Sequence, residues 1–326
     1  MPEIQMREAI RQAMDEEMAR DDAVFLLGEE VGEYNGAYKV SKGLLEKYGD
    51  RRVRDTPIAE LGFSGLAVGA AQVGLRPIVE WMTFNFSLLA LDQVVNNAAK
   101  LRHMSGGQIK VPIVFRGPNG PAEYLSSQHS QALQSYFAHV PGIKVIAPAT
   151  PYDAKGLLKT AIRDDNPVVM LESELAYAWT GDVPEEEYLI PIGKADIKRE
   201  GADVSLVVHG KPLRVALEAA DRLADIGVDA EVVDMRSIRP IDEETIYASV
   251  RKTNRAVVID ESWPIASVGS HVAWMISNNC FDDLDAPVEL VSSEDVPMPY
   301  NHRLELAVQP SVDKIVDAAK RVSYKE

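Results

Sequence analysis

Short apolar runs alternate with helix-forming stretches along almost the whole chain. Met6, Ile10, Met14 and Met18 recur every four residues, which predicts an amphipathic first helix. Buried strands are predicted at residues 23–27, 77–79, 112–115, 143–146 and 167–171. Helical stretches lie between them, at residues 60–73, 86–104, 129–138 and 151–163. Continuous apolar strands that alternate with helices are typical of a mostly parallel sheet covered on both faces.

A second alternating set follows a polar segment around residues 181–185 (GDVPE), where we predict a linker. Its predicted strands are residues 204–208, 230–233, 256–259 and 288–291, and its predicted helices are residues 212–226, 266–278 and 311–324. The length of 326 residues also exceeds what one core usually organises. We therefore predict an α/β protein of two three-layer α/β/α domains, at residues 1–185 and 195–326.

Charge and composition exclude several classes of protein. A net charge of −16 argues against nucleic acid or an anionic membrane as a partner, and favours a basic protein surface instead. No apolar run reaches the ~20 residues that a membrane helix needs. Cys280 is the only cysteine, which excludes an internal disulfide and a zinc cluster of thiolates. The start of the chain shows no secretory signal, so we expect a bacterial cytoplasmic protein or a processed protein of the mitochondrial matrix or plastid.

Glu60 stands directly before a stretch of small and apolar residues, LGFSGLAVGAA at residues 61–71. Such surroundings penalise an ionised carboxylate unless a partner holds the charge. The alternative is an ordinary first-turn glutamate that faces water and is favoured by the helix dipole. No dinucleotide-binding glycine motif and no Walker loop occurs in the sequence, so nothing in it is built to hold a diphosphate.

His129 is the strongest acid/base candidate among the six histidines. It lies in a polar segment, SQHSQ at residues 127–131, at the start of a predicted helix. Side chains at such a position can point into a cleft, which favours an acid/base role over a histidine that is merely close to a helix start.

Several stretches, in order along the chain, resemble the β subunits of the thiamine-diphosphate-dependent 2-oxoacid dehydrogenases. The first two are LGEEVG at 27–32 and DTPIAE at 55–60. The others are WMTFNFS at 81–87, RGPNG at 116–120, SQHSQ at 127–131, AIRDDNP at 161–167, MRSIRP at 235–240, ESWP at 261–264 and VPMPY at 296–300. The resemblance covers essentially the whole chain, and it implies a pyrimidine-binding domain followed by a transketolase C-terminal-like domain.

The resemblance assigns roles to individual residues. Glu60 matches the carboxylate that bonds the pyrimidine nitrogen N1′ of thiamine diphosphate, Phe86 the aromatic side chain that stacks on the aminopyrimidine, and Glu29 a second carboxylate of the cofactor pocket. His129 matches the histidine that handles the 2-oxoacid or the lipoyl group. Asp92 matches a member of an acidic path between paired active sites. From the residues alone, a core Phe86 and a surface Asp92 are the alternatives.

A potassium ion is also implied by the resemblance. The matching positions, which bind mostly through backbone oxygens, are Ile113, Ala161, Ile162, Asp164 and Asn166. Oxygen ligands suit such a hard cation. An Asx turn that binds no ion is the alternative for this segment.

The related enzymes hold the diphosphate and magnesium with a Gly-Asp-Gly motif, which this sequence lacks. The resemblance therefore implies that a separate α subunit supplies those ligands, that the two chains form an α2β2 heterotetramer, and that the second domain docks to a dihydrolipoyl acetyltransferase core. Residues 81–86 look like the pyruvate type. Branched-chain 2-oxoacid and acetoin types stay open, as does a non-catalytic scaffold subunit.

Overall fold

Parallel strands form the main sheet of the first of two structural units in the computed structural model, which describes residues 1–325. This unit, unit 1, comprises residues 1–119 and 136–192. Its strands are β1 (Glu3–Gln5), β2 (Val24–Gly28), β3 (Val53–Asp55), β4 (Arg76–Glu80), β5 (Val114–Pro118), β6 (Lys144–Ile146), β7 (Val168–Glu172) and β8 (Thr180–Asp182). Six of them run in the spatial order β6-β7-β5-β4-β2-β3, each parallel to its neighbour. The strands β1 and β8 form a separate antiparallel pair.

Helices cover both faces of this sheet. They are α1 (Met6–Arg20), α2 (Leu44–Tyr48), α3 (Glu60–Gln72), α4 (Ala99–Met104), α5 (Gln134–Ala138), which begins in the other unit, and α6 (Pro151–Arg163). Helices α1 and α6 pack together, and the four methionine and isoleucine positions that predicted α1 are all buried in a core cluster with strand residues. Helix α3 packs against β4 and against two irregular helices, a 3-10 helix at Phe84–Ala90 and a π-helix at Gln93–Ala98.

The helix predicted at 86–104 therefore differs from the observed structure, in which 3-10, π and α segments follow one another. The π-helix brings the Gln93 side chain against α3, where a Cβ on Gly65 would lie 3.2 Å from its Cδ and Oε1. The hydrophobic periodicity of neither helix predicts such a contact between them.

Unit 2, residues 120–135 and 193–325, contains six strands, five of which form a second sheet. Its strands are β9 (Asp196–Arg199), β10 (Val204–Val208), β11 (Ala230–Asp234), β12 (Ser237–Arg239), β13 (Ala256–Asp260) and β14 (Glu289–Ser292). Five of them run in the order β14-β13-β10-β11-β9, parallel except for β9. The helices are α7 (Leu213–Asp225), α8 (Glu243–Thr253), α9 (Val268–Asn279), α10 (His302–Val308) and α11 (Val312–Val322).

The predicted fold class is confirmed for both units. In unit 2, α7 packs with α11 and α8 with α9, which gives the helix–sheet–helix layers expected of a doubly wound sheet. Each of the nine predicted strands has an observed counterpart. The boundary between the two compact units lies after Ile192, and residues 120–135 belong to unit 2. The domain bounds 1–185 and 195–326 stay a prediction. Among residues 1–325, no helix has the length and apolar character required to cross a membrane.

Candidate functional site: a buried carboxyl pair at the sheet edge

Two glutamates meet at the carboxyl ends of neighbouring strands. Glu29 directly follows β2, and Glu60 is the first residue of α3, shortly after β3. The parallel register of β2 and β3 places Gly28 opposite Asp55, so the two loops leave the sheet side by side. Both glutamates are only 4% exposed. The edge of a parallel sheet at which loops leave it is a usual location for a binding site.

Asp55 ties these two loops together. Its carboxylate accepts the Gly32 N–H at 2.6 Å and the Glu33 N–H at 3.0 Å, so the chain that follows Glu29 is held on the end of β3. In return, the Thr56 N–H donates to the Gly28 carbonyl at 3.0 Å. The first residue of the predicted motif at 55–60 therefore positions the second carboxylate, a role that the sequence did not reveal.

The electrostatics of the pair favour one shared proton near neutral pH. Burial, and then the adjacent Glu60 carboxyl, raise the pKa of Glu29 to about 7. Glu60 is the first residue of α3 and lies at the positive end of the helix dipole. In the described chain, Oε1 of Glu29 is buried without a hydrogen-bond partner. An unmet buried acceptor beside a second carboxyl group is suited to a ligand that offers N–H donors.

Phe86 and Phe84 occupy different environments. Phe84 is fully buried and packs edge-on against Trp81, with ring centroids 5.2 Å apart. Phe86 is only half-buried, and its N–H donates to the Thr83 carbonyl in the 3-10 turn. The core phenylalanine of this segment is therefore Phe84, and the stacking role of Phe86 stays a prediction.

Asp92 is exposed and accepts a hydrogen bond from the Asn96 side chain at 2.6 Å. That contact is the ordinary arrangement of a surface aspartate beside a helix. Its part in an acidic path stays a prediction.

His129 lies in unit 2, whereas Glu29, Glu60 and Phe86 lie in unit 1. His129 is exposed, and its backbone N–H donates to the Ser126 carbonyl at 3.4 Å. The helix predicted at 129–138 begins only at Gln134, so His129 stands in an irregular segment rather than at a helix start. Contacts of this segment with the second sheet explain the difference.

The predicted potassium ligands cluster at the turn between α6 and β7. Asp164 Oδ1 accepts the Asn166 N–H at 2.9 Å, which is an Asx turn, and the Ile113 carbonyl accepts the Val168 N–H at 2.9 Å. The Ala161 carbonyl accepts the Asp164 N–H at 3.2 Å.

A cationic side chain of the chain itself already contacts this turn. Arg76 donates from Nη1 to the carbonyls of Ile162 at 3.0 Å and Asp164 at 3.1 Å. Each carbonyl oxygen still has a second lone pair, so the donor set suits a hard cation, but part of the positive charge is supplied by the chain itself.

Sequence reasoning missed two buried polar networks. In unit 1, Arg116 is fully buried between Glu80 and Glu172. In unit 2, His209 Nε2 lies 3.6 Å from Asp260 Oδ1, and both side chains are buried. The available signal was a charged residue at or near the carboxyl end of an otherwise apolar strand, where it can be enclosed by neighbouring strands.

Two family descriptions together match almost the whole chain. "Transketolase, pyrimidine binding domain" matches residues 2–180, and "Transketolase, C-terminal domain" matches residues 193–315. A solved structure described as "Split gene transketolase, inactive beta4 tetramer" superposes with a TM-score of 0.79 over 98% of each chain. Its sequence identity of 24% makes it a likeness of fold alone.

Curated relatives are far more similar in sequence. "Pyruvate dehydrogenase E1 component subunit beta" of Rickettsia conorii is 54% identical over 99% of both chains. The relative named "Pyruvate dehydrogenase E1 component subunit beta-2, mitochondrial" of Oryza sativa is 55% identical over 99% of this chain and 87% of its own length. A Caenorhabditis elegans relative with the same E1 β designation, also mitochondrial, is 53% identical over 97% of this chain and 91% of its own.

Proposed function

The chain belongs to the β subunits of the pyruvate dehydrogenase E1 component, and from this premise we propose that it acts with an α subunit in the oxidative decarboxylation of pyruvate. The acetyl group would pass to a lipoyl group of a dihydrolipoyl acetyltransferase. The observation that carries the proposal is the buried Glu29–Glu60 pair, with an unmet acceptor, at the edge of the pyrimidine-binding sheet.

The pair fits the aminopyrimidine of thiamine diphosphate, because that ring offers N–H groups to two buried carboxyl oxygens. When bound, the cofactor supplies the carbon nucleophile that adds to the 2-oxo group and takes up the electrons released by decarboxylation. Glu60 would hold the ring through a hydrogen bond that its carboxylate accepts from a ring N–H group. Glu29 holds the proton that the pair shares near neutral pH, and Phe86 provides the stacking surface.

His129 is proposed as the acid/base group for the 2-oxoacid or the lipoyl group. Its exposed imidazole in an irregular segment is accessible to a substrate from outside the chain. Histidine is the side chain that most often serves as a general acid or base in enzymes.

The diphosphate and its magnesium ion are assigned to the α subunit of an α2β2 heterotetramer, because this sequence has no Gly-Asp-Gly motif. Docking of the acetyltransferase core is assigned to the second domain, and the charge of −16 suits a basic docking module. We also propose K+ at the turn between α6 and β7, supported by the clustered oxygens of the segment 161–166. Relatives from Rickettsia and from mitochondria support a bacterial cytoplasmic or matrix location.

The decisive experiment compares Glu60→Gln with wild type after co-assembly with the α subunit. We expect normal assembly by size-exclusion chromatography and a fall in pyruvate turnover of about 10²–10⁴-fold, the range of a lost acid/base contribution. Glu46→Gln, an exposed first-turn glutamate of α2, is the matched control and should leave turnover unchanged. Unchanged turnover in Glu60→Gln would favour a scaffold subunit.

Two further measurements separate the remaining alternatives. The purified chain without an α subunit should show no decarboxylation, and any turnover would contradict the shared active site. A comparison of kcat/KM for pyruvate, branched 2-oxoacids and acetoin in the α2β2 enzyme should rank pyruvate first.

A further inference from the structure

We propose that Glu305, a buried carboxylate of unit 2, is a positioning residue for His129, acting through the segment 120–135. This inference rests on the proposed catalytic role of His129. Residues 120–135 lie within the predicted first domain, 1–185, but they fold with unit 2. We infer that contacts within unit 2 set their geometry.

Both ends of the segment are fastened to the carboxyl edge of the second sheet. Near its start, the Pro121 carbonyl accepts a hydrogen bond from Lys211 Nζ at 3.1 Å, just beyond β10. Near its end, Gln134 Nε2 donates to Asp260 Oδ1 at 2.7 Å, at the end of β13. Asp260 is itself held rigidly, because its other oxygen accepts the Gly269 N–H at 2.7 Å. Hydrogen bonds therefore hold the segment at two points of the second sheet.

The middle of the segment has an unfavourable backbone. Glu123, Tyr124 and Ser126 have φ values of 56°, 61° and 62°, the left-handed region that residues with a Cβ rarely adopt. Such conformations persist only where surrounding contacts over-determine them, and they cluster at functional sites. Contacts with the rest of unit 2 are therefore needed to hold the segment in these conformations.

Glu305 supplies one such contact. Its carboxylate is 1% exposed, and Oε2 accepts the N–H of Tyr124 at 3.1 Å, inside the strained stretch. The His302 ring, one turn earlier on α10, stacks on the Tyr124 ring with centroids 4.8 Å apart. Asn301 caps α10 by accepting the N–H groups of Arg303 and Leu304, which fixes where Glu305 stands.

The strained stretch is directly bonded to His129. The Ser126 carbonyl accepts the His129 N–H, so a change in the backbone at Ser126 moves the imidazole. A second contact supports the same stretch, since Ser127 Oγ donates to the Met298 carbonyl at 3.0 Å. Met298 belongs to the sequence VPMPY at 296–300, a matched stretch to which the proposed function gave no role.

The test uses Glu305→Ala and Glu305→Gln in the α2β2 enzyme, with Glu294→Gln as control. Glu294 is an exposed glutamate of the same unit, paired with Lys314 at 2.8 Å. We expect Glu305→Ala to lower kcat for reductive acetylation by about 10²-fold, because small displacements of a catalytic group have effects of that size. Glu305→Gln should recover most of the loss, since its amide oxygen still accepts the Tyr124 N–H. Glu294→Gln should match wild type.

Two readouts distinguish positioning from general damage. Amide hydrogen exchange within residues 120–135 should rise in Glu305→Ala and stay at the wild-type rate in Glu305→Gln. The double variant His129→Ala/Glu305→Ala should be no slower than His129→Ala, because both changes remove the same group from the reaction. Ser127→Ala, at an exposed position, is a milder second variant that should raise exchange in the same segment even if Glu305→Ala does not fold.

Unchanged exchange in Glu305→Ala, or in Ser127→Ala where only that variant folds, would overturn the proposal. Additive losses in the double variant would overturn it as well. Wild-type turnover in His129→Ala would instead refute the proposed role of His129, while the exchange measurement would still decide whether Glu305 orders the segment.

Discussion

Arg116 donates from Nε to Oε1 of Glu172 at 2.6 Å, and neither side chain reaches solvent. Glu80 accepts from the same guanidinium, and the Tyr177 hydroxyl donates to Glu172 at 2.6 Å. The three charged groups come from β5, β7 and β4, which are neighbours in the sheet. Burial raises the pKa of Glu80, and Arg116 opposes that rise. One guanidinium thus compensates two buried carboxyl groups beside the edge that carries Glu29 and Glu60.

Arg116→Met should destabilise the chain by about 3–5 kcal/mol, because it leaves buried carboxylates without a counter-charge. Arg116→Lys should lose less, since the charge stays while the two-pronged bond to Glu172 is lost. The free energy of unfolding in urea measures both effects. Arg54→Met removes an exposed guanidinium 3.8 Å from Asp50, and it should change stability by less than about 0.5 kcal/mol. Equal effects of Arg116→Met and Arg54→Met would show that the network contributes nothing.

Glu29→Gln should change how stability depends on pH. The pKa of Glu29 is raised from 4.5 to about 7 in the folded chain, so between these values the folded state binds more protons than the unfolded state. The contribution of Glu29 to stability must therefore fall as pH rises from about 4.5 to about 7, and Glu29→Gln lacks this contribution over the same range. Thermal unfolding of the cofactor-free α2β2 enzyme at a series of pH values gives the two curves.

The difference between the two curves isolates Glu29 from the other titrating groups. A constant difference across the window from about 4.5 to about 7 would contradict the shared proton. Glu46→Gln, which removes an exposed carboxylate, should run parallel to wild type.

Much of the fold followed from the sequence because strands buried on both faces read as uninterrupted apolar runs. The strand at 204–208 has the predicted bounds, and every one of its residues is buried. Helix α10 was missed because seven residues with a largely exposed surface carry no clear period. The contact between Gln134 and Asp260, 126 positions apart, explains why residues 120–135 fold with unit 2, and no local pattern encodes it.

The candidate site was only half visible in the sequence. Glu60 was noticeable because an acid rarely precedes so apolar a stretch. Its electrostatic partner, Glu29, depends on the parallel register of β2 and β3, which pairs Gly28 with Asp55. The composition of a local stretch predicts that a residue is buried. The pairing of charged residues that are distant in sequence depends on the order and register of the strands.

Gly28→Ala should destabilise unit 1 by at least about 2 kcal/mol, because a Cβ at this position would lie 2.4 Å from the Glu80 carbonyl oxygen. This steric clash would separate β2 from β4 next to Glu29. We therefore expect pyruvate turnover to decrease together with stability. Gly69→Ala on α3 is the matched control: a Cβ there meets nothing within 4 Å, and alanine should stabilise the helix by roughly 0.5–1 kcal/mol in the isolated chain. Urea unfolding of the two variants should give shifts of opposite sign, and equal shifts would contradict the close approach.

Potassium should stabilise the chain more than sodium does at equal salt concentration. The oxygens of the segment 161–166 keep free lone pairs although Arg76 already contacts two of them, so a bound ion must share the turn with that guanidinium. At a concentration ten times its dissociation constant, K+ would add about 1.4 kcal/mol to the free energy of unfolding. Asp164→Ala removes the side chain that forms the Asx turn and should abolish the difference between the two salts. Superimposable unfolding curves in KCl and NaCl for wild type would mean that cationic side chains of the chain itself, such as Arg76 and Lys144, provide the positive charge of the turn.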